Sequence, residues 1–456
     1  MMAVARSRNL TEEMLEGPIP PLLVRLASPN VLAFFIQSSV SIAEGWYVGK
    51  LGTVSLAGLA LVFPLLMLMQ MMSGGALGGA VASAVARAVG KRSVDRGEAL
   101  IWHGLVLALA GTALFGLAYF GFGDAILRLL GGRGQILVEA RSYATVLFSG
   151  CVMIWVANTL ASVYRGMGAM KYPAALMVLG VGLQVPLSGA LILGWGPFPH
   201  LGIAGAAVSA ITSATLISVL LLGPLVFGNP SVKLRLGAMR FQAALFKDIL
   251  RVGLLASVSP FLSVFTVLCI TSLVSRFGPA ALAGYGIGAR LEFLLIPLIF
   301  GIGAALTAMV GMNMGAGNLN RALRIGWTGA AAAGLLSGII GLGVAVWPDG
   351  WIGLFSKDPA VLAAGASYLR IVGAVYLFQG VGLSLYFASQ GAGTVLWPVS
   401  AGVLRMLVTV GGASVAVRML GMGLSSIFIL TAAGMALYGV VTALSILLGA
   451  WRKVRA

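Results

Sequence analysis

Long apolar runs and short polar interruptions alternate along this chain from one end to the other. A helix needs about 20 apolar residues to cross the hydrocarbon core of a bilayer. Runs of that length fall near 23–48, 54–86, 99–122, 142–164, 174–195 and 203–228. A polar connector follows over 229–248, with Lys233, Arg235, Arg240, Lys247 and Asp248, and further runs lie near 250–275, 280–311, 323–347, 366–390, 397–417 and 423–450. The pattern predicts an all-α integral membrane protein of about twelve spans. The second and eighth runs are too long for a straight crossing, so tilt, a kink or extension beyond the bilayer is expected of them.

The runs also repeat. Ser142-Tyr143, Gly166, Gly168 and Pro173 recur 225 positions later as Ser367-Tyr368, Gly391, Gly393 and Pro398. Gly52, Leu56-Ala57-Gly58 and Arg25 recur 226 positions later as Gly278, Leu282-Ala283-Gly284 and Arg251. Several matches at one spacing, near half the chain length, imply an internal duplication. Six spans is an even number, so both copies enter the membrane from the same side. The result is two parallel six-helix halves about a pseudo-twofold axis along the membrane normal, a transporter arrangement with the substrate path between the halves. The expected division is an N-terminal lobe over 1–228, a cytoplasmic connector over 229–248 and a C-terminal lobe over 249–456.

Composition agrees with this picture. The chain is 59% hydrophobic and 9% charged, with a mean hydropathy of +1.03, whereas a soluble protein of this length needs a far more polar surface. A net charge of +17 does not mark a nucleic-acid partner, because the basic residues are scattered between apolar runs. With the N-terminus inside, 19 Lys and Arg fall on the inner side, Arg6, Arg8, Arg87, Arg165, Lys453 and Arg455 among them, against 9 outside. That bias places both termini in the cytoplasm and the chain in the cytoplasmic (inner) membrane, although the inner stretch 391–398 carries no cation. Glu12, Glu13 and Glu16 ahead of the first run argue against a cleavable leader. Cys151 and Cys269 sit in apolar runs and His103 and His200 are isolated, so neither a disulfide framework nor a metal site is expected, and no cofactor. The chain has no G-x-x-x-x-G-K-[ST], H-E-x-x-H or G-x-S-x-G, so it is not expected to be an enzyme of those kinds.

Of twelve acids, only Glu44 and Glu292 fall within apolar runs. A carboxylate at membrane depth costs several kcal/mol when ionised, and burial favours its neutral form, so each is a candidate proton carrier. Each also has a plainer reading. Glu44 could pair with Lys50 at the outer interface, and Glu292 with its neighbour Arg290. Arg405, the one cation deep in a span, could balance an acid, bind an anionic substrate or hydrogen-bond the carbonyls of a broken helix. Asn158, Gln184, Ser188 and Gln379 are polar points on apolar helices, as suited to helix–helix hydrogen bonds as to ligand contact. Met67, Met69, Met71 and Met72 precede Gly74-Gly75 and Gly78-Gly79. Methionine adapts to irregular apolar ligands, while glycines at four-residue spacing let helices approach closely.

Seven stretches in order carry a resemblance. They are Glu16-Gly17-Pro18-Ile19, Tyr47-Val48-Gly49-Lys50-Leu51-Gly52, Leu56-Ala57-Gly58, Arg165-Gly166-Met167-Gly168, Gly202-Ile203-Ala204-Gly205-Ala206-Ala207, Arg290-Leu291-Glu292 and Val310-Gly311-Met312-Asn313-Met314-Gly315-Ala316-Gly317-Asn318. Together they resemble the multidrug and toxic compound extrusion (MATE) transporters over nearly the whole chain, and among them the prokaryotic DinF-like branch. The resemblance implies a secondary antiporter that exports amphipathic, often cationic, organic compounds in exchange for protons, with sodium as the alternative ion. That branch has an Asp late in span one, where Glu44 stands, and an Asn in span four, matched by Asn158. Its Asn and Asp four residues apart in span five correspond to Gln184 and Ser188, so the second acid is missing. The other bacterial branch has a Glu in span seven, near Ser263 here, and an Asp in span ten that has no counterpart.

Sodium wants several oxygen ligands and usually a carboxylate, so these departures leave Glu44 as the main candidate for proton coupling. The candidate coupling and substrate residues are thus Glu44, Asn158, Gln184, Ser188, Glu292, Gln379 and Arg405. The expected partners are small amphipathic molecules and the lipid bilayer, with the chain acting as a monomer. One rival is a lipid or lipid-linked oligosaccharide flippase of the same superfamily, which would need an arginine-lined cavity where this chain offers Arg405. Another is an intramembrane enzyme, which would need a polar catalytic cluster that cannot be assembled here. The topology is directly testable: a reporter fused after Ala456 or placed within 229–248 reads cytoplasmic, and one near His200 reads external. An external signal from the connector would overturn both the orientation and the two-half reading.

Overall fold

The computed structural model describes residues 10–228 and 230–452, so Arg6, Arg8, Lys453 and Arg455 of the charge count lie outside the described residues. The N-terminal half comprises α1 (Ile19–Gly49), α2 (Thr53–Gly90), α3 (Val94–Leu129), α4, α5 (Lys171–Leu193) and α6 (Ala204–Phe227). The C-terminal half comprises α7 (Ala243–Phe277), α8 (Pro279–Gly315), α9 (Leu319–Val346), α10 (Pro359–Ala392), α11 (Leu396–Arg418) and α12 (Leu424–Leu447). Eleven described helices are long and apolar enough to cross a membrane, and α4 makes the twelfth if its two pieces, Gly134–Ser149 and Cys151–Gly166, count as one span. The pieces meet at 51°. Glycine is a usual site of such a bend, and at Gly150 the side chain of Ile211 occupies the space a Cβ would need.

The two overlong runs resolve differently. The 38-residue α2 is interrupted by a π turn over Met71–Ala76, a wide turn that shifts helical register and often marks a functional segment. The 37-residue α8 carries Pro297 inside it. The polar connector is shorter than the sequence suggests, because α7 already begins at Ala243 and Lys247 and Asp248 are helical.

The two halves meet at one end of the molecule and part at the other. One apolar cluster runs through both, joining Leu22, Val85 and Leu160 to Ile249, Met309 and Ala388. Toward the opposite end the core divides. Val48, Val62, Tyr143 and Ile203 belong to a cluster of the N-terminal half alone, and Val274, Ala281, Tyr368 and Ile427 to one of the C-terminal half alone. At the joined end α2 and α8 approach symmetrically. A Cβ on Gly90 would overlap the carbonyl of Met312, and a Cβ on Gly315 would overlap the carbonyl of Arg87. Both Gly90 and Gly315, and Arg87 and Met312, stand 225 positions apart, so the crossing lies on the pseudo-twofold axis. Only glycine permits backbones to come this close.

Polar groups lock the same seam. Asp248 on α7 accepts from Arg87 on α2 at 2.7 Å and from Arg96 on α3 at 2.8 Å. Ser83 donates to the carbonyl of Gln390 and accepts from Arg87. The connector is held to α3 by Trp102 Nε1, which donates to the Arg235 carbonyl at 2.9 Å, and by buried His103, whose Nε2 accepts from the Gln242 amide at 3.0 Å. The molecule is therefore a V, shut at the end that bears Arg87 and Asp248. The Asp248 side chain is 25% exposed and that of Arg96 41%, and ion pairs within reach of solvent contribute about 1 kcal/mol. In a background lacking Cys151 and Cys269, Asp248→Asn should thus speed maleimide labelling of Met312→Cys by about fivefold. An unchanged rate would show that the ion pairs do not hold the seam.

Candidate coupling and substrate site

The seven candidate residues fall into three groups. The first is in the N-terminal half near the open end of α1. Glu44 is buried, 7% exposed, and its Oε1 accepts from Gln184 Nε2 on α5 at 3.0 Å. Ser188 lies one turn further along α5, fully buried, its hydroxyl without a hydrogen-bond partner among the described residues. Tyr143 on α4, also buried, is within electrostatic reach of the Glu44 carboxyl. The pairing of Glu44 with Lys50 does not form. Lys50 Nζ instead sits 3.6 Å from the centroid of the Trp46 ring, a contact attractive to an ammonium through the ring quadrupole.

Asn158 forms the second group, apart from Glu44. Its Nδ2 donates to Ser73 Oγ at 2.8 Å and to Gln70 Oε1 at 3.1 Å. Ser73 belongs to the π turn of α2 and Gln70 immediately precedes it, so the wide turn presents both to α4. The glycines of α2 mark close approaches: Gly74 faces Asn158, Gly75 faces Phe300, and Gly79 faces the Gln390 amide. Phe300 stacks edge-on against Phe34 and Phe387, with centroids at 6.2 and 4.8 Å. These rings, with Arg165 and Gln390, line a cavity of about 30 Å³ at the base of the V.

The third group is in the C-terminal half. The hydroxyl of Tyr368 on α10 donates to Glu292 on α8. Arg405 on α11 lies within electrostatic reach of Glu292 but not in an ion pair with it. The Arg405 guanidinium donates to Gln379 Oε1 at 2.7 Å and lies 5.9 Å from the Tyr438 ring centroid. Arg290 does not pair with Glu292 either; its guanidinium is 5.5 Å from the Phe355 ring centroid. Arg405 and Gln379 are half-buried. A charged group at that depth faces a water-filled path or the bundle interior, not lipid.

The sequence reading missed the two tyrosines, although it contained them. Tyr143 and Tyr368 belong to the Ser-Tyr pair that repeats at 225 positions, and each turns out to sit by its own lobe's in-span acid, buried Glu44 and half-buried Glu292. The acids themselves do not repeat. The position equivalent to Glu44 is Ile270, part of the C-terminal core, and 226 positions before Glu292 stands Leu66. Gln70 and Ser73 were also missed, because a π turn has no clear signal in a Met- and Gly-rich run.

The MatE family model matches residues 29–189 and again residues 256–415. The chain belongs to the MatE family. As a MATE protein it is a multi-pass membrane transporter and not an enzyme. Its two family matches begin 227 and end 226 positions apart, in keeping with the duplication. This MATE chain is 26% identical to a probable multidrug resistance protein NorM of Thermotoga maritima over 83% of its length and 81% of that protein's. It is 29% identical to a probable multidrug resistance protein NorM of Deinococcus radiodurans over 91% of its length and 92% of that protein's. It superposes with a TM-score of 0.87 and 25% identity on the outward-facing conformation of a multidrug resistance MATE family transporter of the MOP superfamily, covering 97% of this chain and 98% of that one.

A hydrogen bond to a charged group contributes about 1.5–3 kcal/mol. Tyr368→Phe should therefore destabilise the detergent-purified protein, and should do so far less in the Glu292→Gln background, because residues in direct contact are not additive. Thermal unfolding of the two single variants and the double variant measures this coupling, and strict additivity would show that the phenol does not support the acid.

Proposed function

We propose that this chain is a secondary multidrug efflux antiporter that exports amphipathic and cationic organic compounds in exchange for protons, with Glu44 as the coupling acid. The observation that carries the reading is the company Glu44 keeps. The carboxyl is buried, Lys50 is turned away onto Trp46, and the hydrogen-bond partner is the neutral amide of Gln184. An amide can donate its N–H to a carboxylate or accept the O–H of a carboxylic acid with its oxygen, so this partner suits both protonation states. A cationic partner would hold the acid ionised. Among the described residues the groups near the Glu44 carboxyl are an amide and a phenol, with no cluster of acids that could hold a metal ion, which supports a proton over sodium.

In this reading the closed end faces the cytoplasm, in keeping with its arginines and the positive-inside bias, and the molecule stands open to the outside. The proton is held while the cleft faces outward and given up when it faces inward, where an organic cation takes its place beside the ionised carboxylate. Glu44→Gln mimics the protonated state permanently and should abolish active export. Glu44→Asp keeps the charge on a shorter arm and should retain part of the activity.

The decisive measurement is proton release when ethidium is added to detergent-purified protein, paired with ethidium efflux from proteoliposomes under separately imposed pH and sodium gradients. Wild type should release protons near neutral pH and respond to the pH gradient, and Glu44→Gln should do neither while remaining folded. Equal proton release from both proteins would exclude Glu44. Loss of coupling in Glu292→Gln alone would move the assignment to the C-terminal half, and efflux driven by sodium alone would overturn the proton.

A further inference from the structure

We propose that the groove between the start of α1 and the start of α9, at the closed end, binds the headgroup of an anionic phospholipid and so ties the two lobes together. The groove is a cavity of about 610 Å³, walled by Glu16, Pro18 and Ile19 on the α1 side and by Arg321, Arg324 and Trp327 on the α9 side. That volume is within the roughly 300–1,000 Å³ of small-ligand sites. Arg321 and Arg324 are three positions apart and so share one face of α9. Arg321 is half-buried and fixed, donating to the carbonyls of Gly17 at 2.5 Å and Met14 at 3.4 Å. Arg324 is exposed and its guanidinium makes no hydrogen bond or ion pair among the described residues, and neither does the indole nitrogen of Trp327. The groove thus presents one anchored guanidinium, one free guanidinium and a tryptophan at the end of a membrane span, with Pro18 and Ile19 as an apolar wall. Arginine bonds phosphate oxygens in pairs, and Trp is enriched at headgroup level. Glu16 is the acid on the wall and lies within electrostatic reach of Arg321.

The pseudo-twofold axis supplies an independent argument. Arg321 and Trp327 are the repeat partners of Arg96 and Trp102, each 225 positions earlier, and α9 starts 225 positions after α3. On the α3 side the twin groove is filled by the chain itself. There Asp248 neutralises Arg96, the Arg235 carbonyl takes the Trp102 N–H, and Val232 seats against Gly97. An acid, an acceptor and an apolar side chain thus fill one groove. On the α9 side Arg321 is held by backbone carbonyls, while the Arg324 guanidinium and the Trp327 indole are left for an acid and an acceptor, and an anionic phospholipid offers both in one molecule together with an acyl chain: a charged phosphate and its ester oxygens.

The bound lipid would brace α1 of one lobe against α9 of the other and favour the closed seam. Basic residues at an anionic membrane surface contribute about 1 kcal/mol each, or about fivefold in affinity. The test uses delipidated full-length protein in detergent, titrated with dioleoylphosphatidylglycerol, with dioleoylphosphatidylcholine and inorganic phosphate as separate arms. Binding is read by native mass spectrometry and by the thermal unfolding midpoint. Phosphatidylglycerol should bind saturably and raise the midpoint. Arg324→Gln, which removes a side chain with no structural partner, should raise the half-saturating concentration about fivefold. Lys91→Gln, an exposed closed-end cation outside the groove, should leave it unchanged. The proposal is overturned if phosphatidylcholine or free phosphate stabilises equally, if Arg324→Gln binds as wild type does, or if Lys91→Gln weakens binding as much.

Discussion

Hydrocarbon offers a charge no partner, so every ionic group at membrane depth must bring its own. This chain meets the constraint in two ways. At the closed end, guanidinium meets carboxylate directly, as Arg87 and Arg96 grip Asp248. Within the spans and at their open ends the pairing is with dipoles and rings. Glu44 rests on an amide, Glu292 on a phenol, Arg405 on an amide and an aromatic face, and Lys50 and Arg290 on aromatic faces. A salt bridge fixes both ionisation states, whereas a neutral dipole leaves the charge open to competition by a proton or a ligand. The closed end is thereby locked, and the interior stays exchangeable.

The locked end owes its shape to a small contact. Gly90 and Gly315 let α2 and α8 touch backbone to backbone on the axis, and the apolar cluster that both lobes share surrounds that point. Beyond it the cores separate, so among the described residues the continuous packing between lobes lies at one level. A molecule built this way can rock about its seam without rebuilding either half, which is what alternating access asks of a repeat architecture.

The spans, their number, the duplication and the family were legible in the chain, because each is written as periodicity or as spacing. Glu44 and Gln184 were also found as candidates, since a polar residue inside an apolar run stands out. Their direct contact was not, because it joins α1 to α5 across 140 positions. The plainer pairings of Glu44 with Lys50 and Glu292 with Arg290 followed from nearness in sequence, and both failed for one reason. In each case an aromatic ring captured the cation, and which ring lies beside which cation is decided by packing. The π turn of α2 and the bend at Gly150 were hidden likewise, because both depend on neighbours from other helices.

The two in-span carboxyls also carry a record of descent. Tyr143 and Tyr368 stand at equivalent positions in the two halves, whereas Glu44 faces Ile270 across the repeat and Glu292 faces Leu66. A fresh duplicate would have carried the same residue at both members of each pair. At least one substitution therefore followed the doubling at each acidic position, on a different helix in each half, beside a tyrosine already held in common. The halves have thus diverged in chemistry at both acidic positions while keeping one shape.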